Sequence, residues 1–482
     1  MSTGACMPTR RHGEGALKEA GIQVVSHKTY TRTAISHTFT DQTSAAPSST
    51  VDKPIVPTAH TPFLSVKMPS DKLVDNTTSI LVNIKRLDDN DPGLEQKAIR
   101  QEIVQAARAI INEVSDPVDY LKSEWVNMAD MASWNVFMDW KAFDKIPLTG
   151  SISLKDLAES VGAEESLIVR IASLLVATGK LTQPKPGHVG HGRFSPLYRS
   201  DSKGYPQAWV AGAMGMRPYA LWPSYFAEYG RGEPQGRTHT PASFAWGRPE
   251  LPIWDIIGAN PEHKAVFGAA MKAMSFLSNA DVVGDKALYS LDWIAEEAAE
   301  GPAVAAAGEQ PPPPPPLLVD VGGGLGQMLK MVLTAFPSIP PARLVLQDRE
   351  EVIEEARRIA DPVLQGVVHM PHDFHQPQPV QGALVYVLRR VLNDWPDKTV
   401  TTILSHLAKA LPDDTSARVL IVEPKKISPP KALNAIVDLV MLNIGGKLRD
   451  RESLDPLVTA AGMKIVGYYE DEESHAVECA KA

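Results

Sequence analysis

Apolar residues along this chain follow two different periods, with a run of prolines between them. Beyond Thr78, Ile80, Leu81, Ile84 and Leu87 recur at three and four residues, and Ile103, Ala106, Ala107 and Ile110 repeat that spacing. Both stripes predict amphipathic helices. Trp125, Met128, Met131, Trp134, Phe137, Met138, Trp140 and Phe143 predict a third helix over 125–143, with large side chains on several faces. A helix this apolar is buried between other helices or between two subunits. Over 146–200, Ser153 can cap a helix at 154–161 that Gly162 ends, and 164–176 forms a second helix up to Gly179. Leu181 with Phe194 and Pro196 predicts a short hairpin, which completes a winged-helix pattern. The second helix opens on Glu164 and Glu165 and carries Arg170 as its one base, so a structural or dimerising role is expected rather than DNA reading. The stretch 205–280 is helical and aromatic, from Trp209 through Trp222 to Trp246, and continues into an amphipathic helix at 261–274.

After the prolines the period shortens. Strands are predicted at 317–321, 343–346, 366–369, 383–388 and 418–422, with helices at 327–333, 350–359 and 398–411 between them. Such alternation makes a parallel sheet with helices on both faces. Two last strands, 464–468 and 475–478, joined by an acidic turn, predict an antiparallel edge. The expected organisation is a disordered tail at 1–60, a helical and winged-helix dimerisation domain at 61–250, and an α/β domain at 251–482 with a polyproline insert at 310–316.

Charge and cysteine content narrow the function. Among 482 residues, 48 Lys+Arg face 57 Asp+Glu, a formal net charge of -9, and no basic stripe stands out. Nucleic-acid binding needs clustered cations to replace phosphate counterions and is not expected. No apolar run approaches the ~20 residues of a membrane helix, so no membrane partner is expected. Cys6 and Cys479 are the two cysteines, which leaves neither a disulfide framework nor a cysteine metal site and points to the cytoplasm.

The chemistry begins at 319–326, Val-Asp-Val-Gly-Gly-Gly-Leu-Gly, between the first strand and first helix of the α/β domain. Glycines there let a ligand approach the backbone at the carboxyl end of the strand. Gly322, Gly324 and Gly326 give G-x-G-x-G after an acidic strand, the loop of S-adenosylmethionine (SAM) binders. Gln327 breaks the dinucleotide spacing, and no Gly-Lys-Ser/Thr follows for a phosphate loop. Asp348 closes the second strand, where a carboxylate can accept both ribose hydroxyls. Asp373 and Phe374 follow the third.

With these segments the chain resembles the plant- and fungal-type O-methyltransferase family over about residues 75–482. The segments that carry it are 318–326, Val345-Leu-Gln-Asp348, His372-Asp-Phe374, Pro377-Gln-Pro-Val380, 386–397, Val422-Glu-Pro424 and 438–442. The resemblance implies a Rossmann-like class I methyltransferase domain preceded by an all-α, winged-helix dimerisation domain. It also implies a homodimer, SAM as cofactor, and Gly322, Asp348, Asp373 and Phe374 as its holders. Where the family reads His-Asp-Trp, this chain has Asn393-Asp394-Trp395, and where the family places an orienting Glu it has Leu448. Asparagine has no proton to take up near neutral pH and cannot be the general base. Glu423 remains of the family's acidic pair. An intact SAM loop beside a lost base resembles the SAM-dependent pericyclase branch of the family, which closes rings on polyketide-derived substrates without methyl transfer. On that reading Asn393, Asp394, Glu423 and Arg390, with Arg389 beside it, polarise a substrate carbonyl. The 209–246 aromatics with Met271 and Met274 wall a bulky apolar molecule. The alternative is an active O-methyltransferase acting on a polyketide or phenolic hydroxyl, with His369, His372 or His375 as distant stand-ins for the base.

Overall fold

The computed structural model describes residues 70–87, 93–275, 287–299, 315–413 and 416–482. The expected tail at 1–60 and most of the proline run lie outside the described residues. The chain divides into two units, Met1–Asp75 and Asn76–Ala482. Of the first, only the opening turns of a helix are described.

Helices α1 (Ser70–Arg86), α2 (Leu94–Val114) and α3 (Pro117–Asp139) come first. α3 starts well before the aromatic run that predicts it, because Asp116 caps it through the Val118 and Asp119 N–H groups and Pro117 occupies its first turn. Trp134, Phe137, Met138 and Phe143 are buried and form one core with Leu157 and Ala158 of α4 (Leu154–Val161) and Ile168, Ala172 and Leu175 of α5 (Glu165–Ala177). Trp125, Met128 and Met131 on the same helix are exposed. The predicted hairpin is shifted. Strands β1 (Ile152–Ser153), β2 (Leu181–Thr182) and β3 (His188–His191) form a three-stranded sheet in the order β1–β3–β2, and Phe194 to Pro196 lie beyond it in a tight turn. Gly192 permits the close strand contact, since a Cβ there would stand 2.5 Å from the Gly179 and Lys180 carbonyls.

The sheet of the α/β domain has seven strands in the order β6–β5–β4–β7–β8–β10–β9. These are β4 (Leu318–Val321), β5 (Leu344–Asp348), β6 (Val368–Pro371), β7 (Val385–Arg389), β8 (Arg418–Pro424), β9 (Met463–Glu470) and β10 (Ser474–Lys481). β4 pairs in parallel with β5 and β7, and β10 runs antiparallel to both β8 and β9. The third strand lies two residues later than its sequence prediction. One face of the sheet presents Val319, Val321, Tyr386 and Leu388 to a helix at Asp397–Ala410; the other presents Leu318, Leu344, Leu346 and Val387 to helices at Gln327–Ala335 and Glu350–Ile359. Alternate residues of each strand thus feed two cores, as a doubly wound sheet requires. The carboxyl ends of β4, β5 and β7 stand side by side, with the glycine loop and the 391–395 turn among them.

Candidate functional site

Gly322, Gly324 and Gly326 all have positive φ, at 72°, 61° and 83°. Gly323 is excluded from bearing a side chain by contact, since a Cβ there would stand 2.4 Å from Asp320 Oδ2. The loop therefore leaves bare backbone at the end of β4. Asp348 at the end of β5 is tied to it, with Oδ2 accepting the Gly324 N–H at 2.8 Å and Oδ1 accepting the Arg349 N–H at 2.8 Å. Burial pushes its carboxyl above the usual range, against those two hydrogen bonds. Phe374 lies across the loop, its ring 3.4 Å from where a Gly322 Cβ would be, and Asp373 Oδ1 holds the turn by accepting the His375 N–H.

Two charged groups that sequence reasoning left out of the cofactor set stand at adjacent strand ends. Asp320 on β4 is buried, and its Oδ2 has no partner; Arg389 closes β7, and its Nε has none. Burial pushes the Asp320 carboxyl up to about 7, against the opposing pull of Arg389. A buried acid and a half-buried cation, each with a buried and unused hydrogen-bonding atom, suit the ammonium and carboxylate of an amino acid. SAM carries that zwitterion at one end and a ribose at the other, so Asp320, Arg389, the bare glycine backbone and Asp348 fit it. The signal for Asp320 was present in the sequence as the acid two residues before Gly322.

The fungal-type Leu-Gln-Asp and Pro-Gln-Pro-Val elements meet each other. Gln347 and Gln378, both buried, exchange two amide hydrogen bonds at 2.8 and 2.9 Å, which fixes the loop after Asp373 to β5.

The turn carrying Asn393 and Asp394 is held from every side. Arg390, at φ 57°, swings the chain out of β7. Glu423 Oε1 accepts the backbone N–H groups of Val391, Leu392 and Asn393. Arg449, 1% exposed, donates to the carbonyls of Leu392 at 3.0 Å and Trp395 at 2.7 Å and to Asp397. Lys447 N–H closes on the Asn393 carbonyl at 3.0 Å. Glu423 thus fixes the turn through its backbone and is a positioning residue. Arg449, next to the Leu448 that drew attention in the sequence, does the complementary work on the carbonyl side.

Asn393 is 6% exposed. Its Nδ2 donates to Asp394 Oδ1 at 2.9 Å and to Met441 Sδ at 3.1 Å, while its Oδ1 is buried without a partner. Burial, with Glu423 adding to it and Arg390 opposing, pushes the Asp394 carboxyl up to about 7. Met441 belongs to a helix at Ala432–Ile444 that packs on the helical aromatic region around Met214, Trp246 and Trp254. Met271 is exposed, and the Met274 side chain lies outside the described residues. His375 stacks edge-on against Trp395 at 4.6 Å, and His372 and His375 each have a buried Nε2 without a partner. Burial lowers both below the ordinary imidazole value, which favours the neutral ring. His369 gives its Nδ1 to the Val367 carbonyl.

A family profile described as an O-methyltransferase domain matches residues 314–464. Methyltransferase cfoD of Aspergillus candidus is 39% identical over 397 residues, which is 81% of this chain and 94% of that protein. Among solved structures, OxaC in complex with sinefungin and meleagrin has a TM-score of 0.70 at 18% identity, covering 86% of this chain and 100% of that one. A chain described as a pericyclic reaction enzyme has a TM-score of 0.61 at 20% identity, covering 86% and 100%. LepI in complex with SAM has a TM-score of 0.62 at 20% identity, covering 86% and 99%.

Proposed function

The chain belongs to the O-methyltransferase domain family, whose cofactor is SAM, and within it we propose that this protein methylates an acidic oxygen or ring nitrogen of a small, polyketide-type molecule. The observation that carries this reading is the complete cofactor cradle, in which Asp320 and Arg389 keep unpartnered buried atoms beside Asp348 and the glycine loop. Similarity to a protein named a methyltransferase, over 94% of its length, supports methyl transfer over the ring-forming chemistry that the sequence alone favours. The bound cofactor supplies a methyl group on a sulfonium, ready for in-line displacement. The protein supplies position and a dry pocket: Asp348 and the loop fix the ribose side, and the clamped 391–395 turn holds the acceptor. No imidazole stands at Asn393, so the acceptor has to ionise easily, as an enol or imide-like N–H does.

A second reading, a SAM-bound pericyclase, is favoured by one feature. A turn with Asn393 in place of the base and Leu448 in place of its orienting partner suits a reaction that moves no proton. The two readings separate on stoichiometry: methyl transfer makes one S-adenosylhomocysteine per product, and a pericyclic reaction makes none.

The assembly is a homodimer on this proposal. Val118, Leu121, Trp125 and Met128, between 53% and 71% exposed, form an apolar stripe along α3 that a second copy would cover. A cytoplasmic home follows from the cysteine content, and no described helix is long and apolar enough to cross a membrane.

A further inference from the structure

Every polar group of the Asn393 peptide and side chain is engaged except one. The N–H is held by Glu423, the carbonyl by Lys447 and the Nδ2 by Asp394 and Met441; Oδ1 alone is buried and unpartnered. A buried carbonyl oxygen without a donor is costly, and such atoms in native proteins are met by a ligand, water or ion. The sequence assigns Asn393 as a donor to a substrate carbonyl, but its donor is already used. We propose that Asn393 Oδ1 accepts a hydrogen bond from an N–H or O–H on the substrate's ring, and that the Asp394 carboxylate holds the amide in this orientation. The proposal rests on the reading above, that the 391–395 turn faces the substrate, and it names the substrate class: a heterocycle or enol that presents a hydrogen-bond donor at its reacting edge.

Asp394 acts through Asn393 and is a positioning residue. An ionised carboxylate can only accept, so it draws the NH2 toward itself and leaves the oxygen for the substrate. A protonated carboxyl donates, so it draws Oδ1 inward and turns the NH2 to the substrate. The charged groups acting on Asp394 are Glu423 from β8, which favours its proton, and Arg390 just beyond β7, which opposes it; the Ala432–Ile444 helix brings Met441 to the amide, and its one acid, Asp438, accepts the Leu448 N–H. Selectivity for donor ligands therefore belongs to the alkaline side of neutral pH and is lost on the acid side.

The test needs no turnover. Binding of 2-pyridone, which has a ring N–H and stays neutral from pH 6 to 8, is compared with that of N-methyl-2-pyridone, which has no donor. Saturation-transfer NMR on the full chain with saturating S-adenosylhomocysteine reads both. At pH 8 the pyridone is expected to bind ~10-fold more tightly, the scale of one net hydrogen bond, and the ratio is expected to fall toward one at pH 6. Asn393→Leu should hold the ratio near one at both pH values, with S-adenosylhomocysteine binding by calorimetry retained as proof of folding. Asp394→Asn should make the ratio independent of pH. A wild-type ratio of one at pH 8, including no binding of either ligand, overturns the acceptor role. A tenfold ratio unchanged from pH 8 to 6 overturns the part given to Asp394. A protein that makes no S-adenosylhomocysteine from SAM but keeps the ratio and its pH dependence loses the methyl-transfer reading and keeps this one.

Discussion

Asp320 and Glu423 are buried, and Asp394 half-buried, at or beside the carboxyl edge of the sheet, and desolvation pushes each up to about 7. A carboxyl whose folded pKa lies above its unfolded value binds more protons when folded, so it withdraws stability as pH rises from about 4 to 7. Asp394→Asn removes one such group while keeping an acceptor for Asn393. The variant should gain thermal stability over wild type between pH 5 and 8, by at most about 4 kcal/mol for a shift of this size. Melting curves that shift equally at both pH values would remove Asp394 from the account. Asp348 makes a second residue-scale test: Asp348→Ala should weaken SAM by roughly 1.5–3 kcal/mol, the range for a hydrogen bond to a charged group, as read by calorimetry. The glycine loop and Asp348 were legible because backbone geometry and strand ends leave a fixed spacing in sequence. The placing of Arg389 beside Asp320 was not, because it arises only when β4 and β7, more than sixty residues apart, lie side by side.

On the proposed function the chemistry depends on the 391–395 turn, and of the groups that hold it the sequence pointed to Glu423 alone. Glu423 takes its N–H groups, Arg449 its carbonyls, and Gly446 makes room, since a Cβ there would stand 2.0 Å from the Asn393 carbonyl oxygen. Gly446→Ala should therefore displace the turn and abolish turnover while leaving SAM affinity within about twofold, because Asp320, the glycine loop and Asp348 are carried by β4 and β5 and only Arg389 by the strand that leads into the turn. Arg449→Met leaves buried carbonyls unpaired and should cost about 3 kcal/mol in urea denaturation. The strand–helix order of the α/β domain could be read from the chain because each element buries at a single period. The first sheet was misplaced because its middle strand, His188–His191, holds two histidines and a glycine and shows no apolar alternation. The start of α3 was missed for a related reason: Asp116-Pro117 is a helix start signal that lies outside the aromatic run.

At the scale of the molecule, two surfaces decide what the protein is. One is the exposed stripe of α3, where Trp125→Glu should convert a dimer to a monomer in sedimentation at micromolar concentration without loss of SAM binding; a wild-type monomer would end the dimer proposal. The other is the carboxyl edge of the seven-stranded sheet, where an intact cofactor cradle adjoins a turn without its family's base. That combination is the central claim, methyl transfer to an easily ionised acceptor. The most direct measurement incubates the full chain with methyl-labelled SAM and a panel of enolic and lactam heterocycles, and quantifies S-adenosylhomocysteine and labelled product together. Equal amounts of the two are expected, formed on acidic enols or ring N–H groups and not on simple phenols, and rising with pH as the acceptor ionises. Product formed with SAM recovered unchanged would contradict the claim and leave the ring-forming reading in its place.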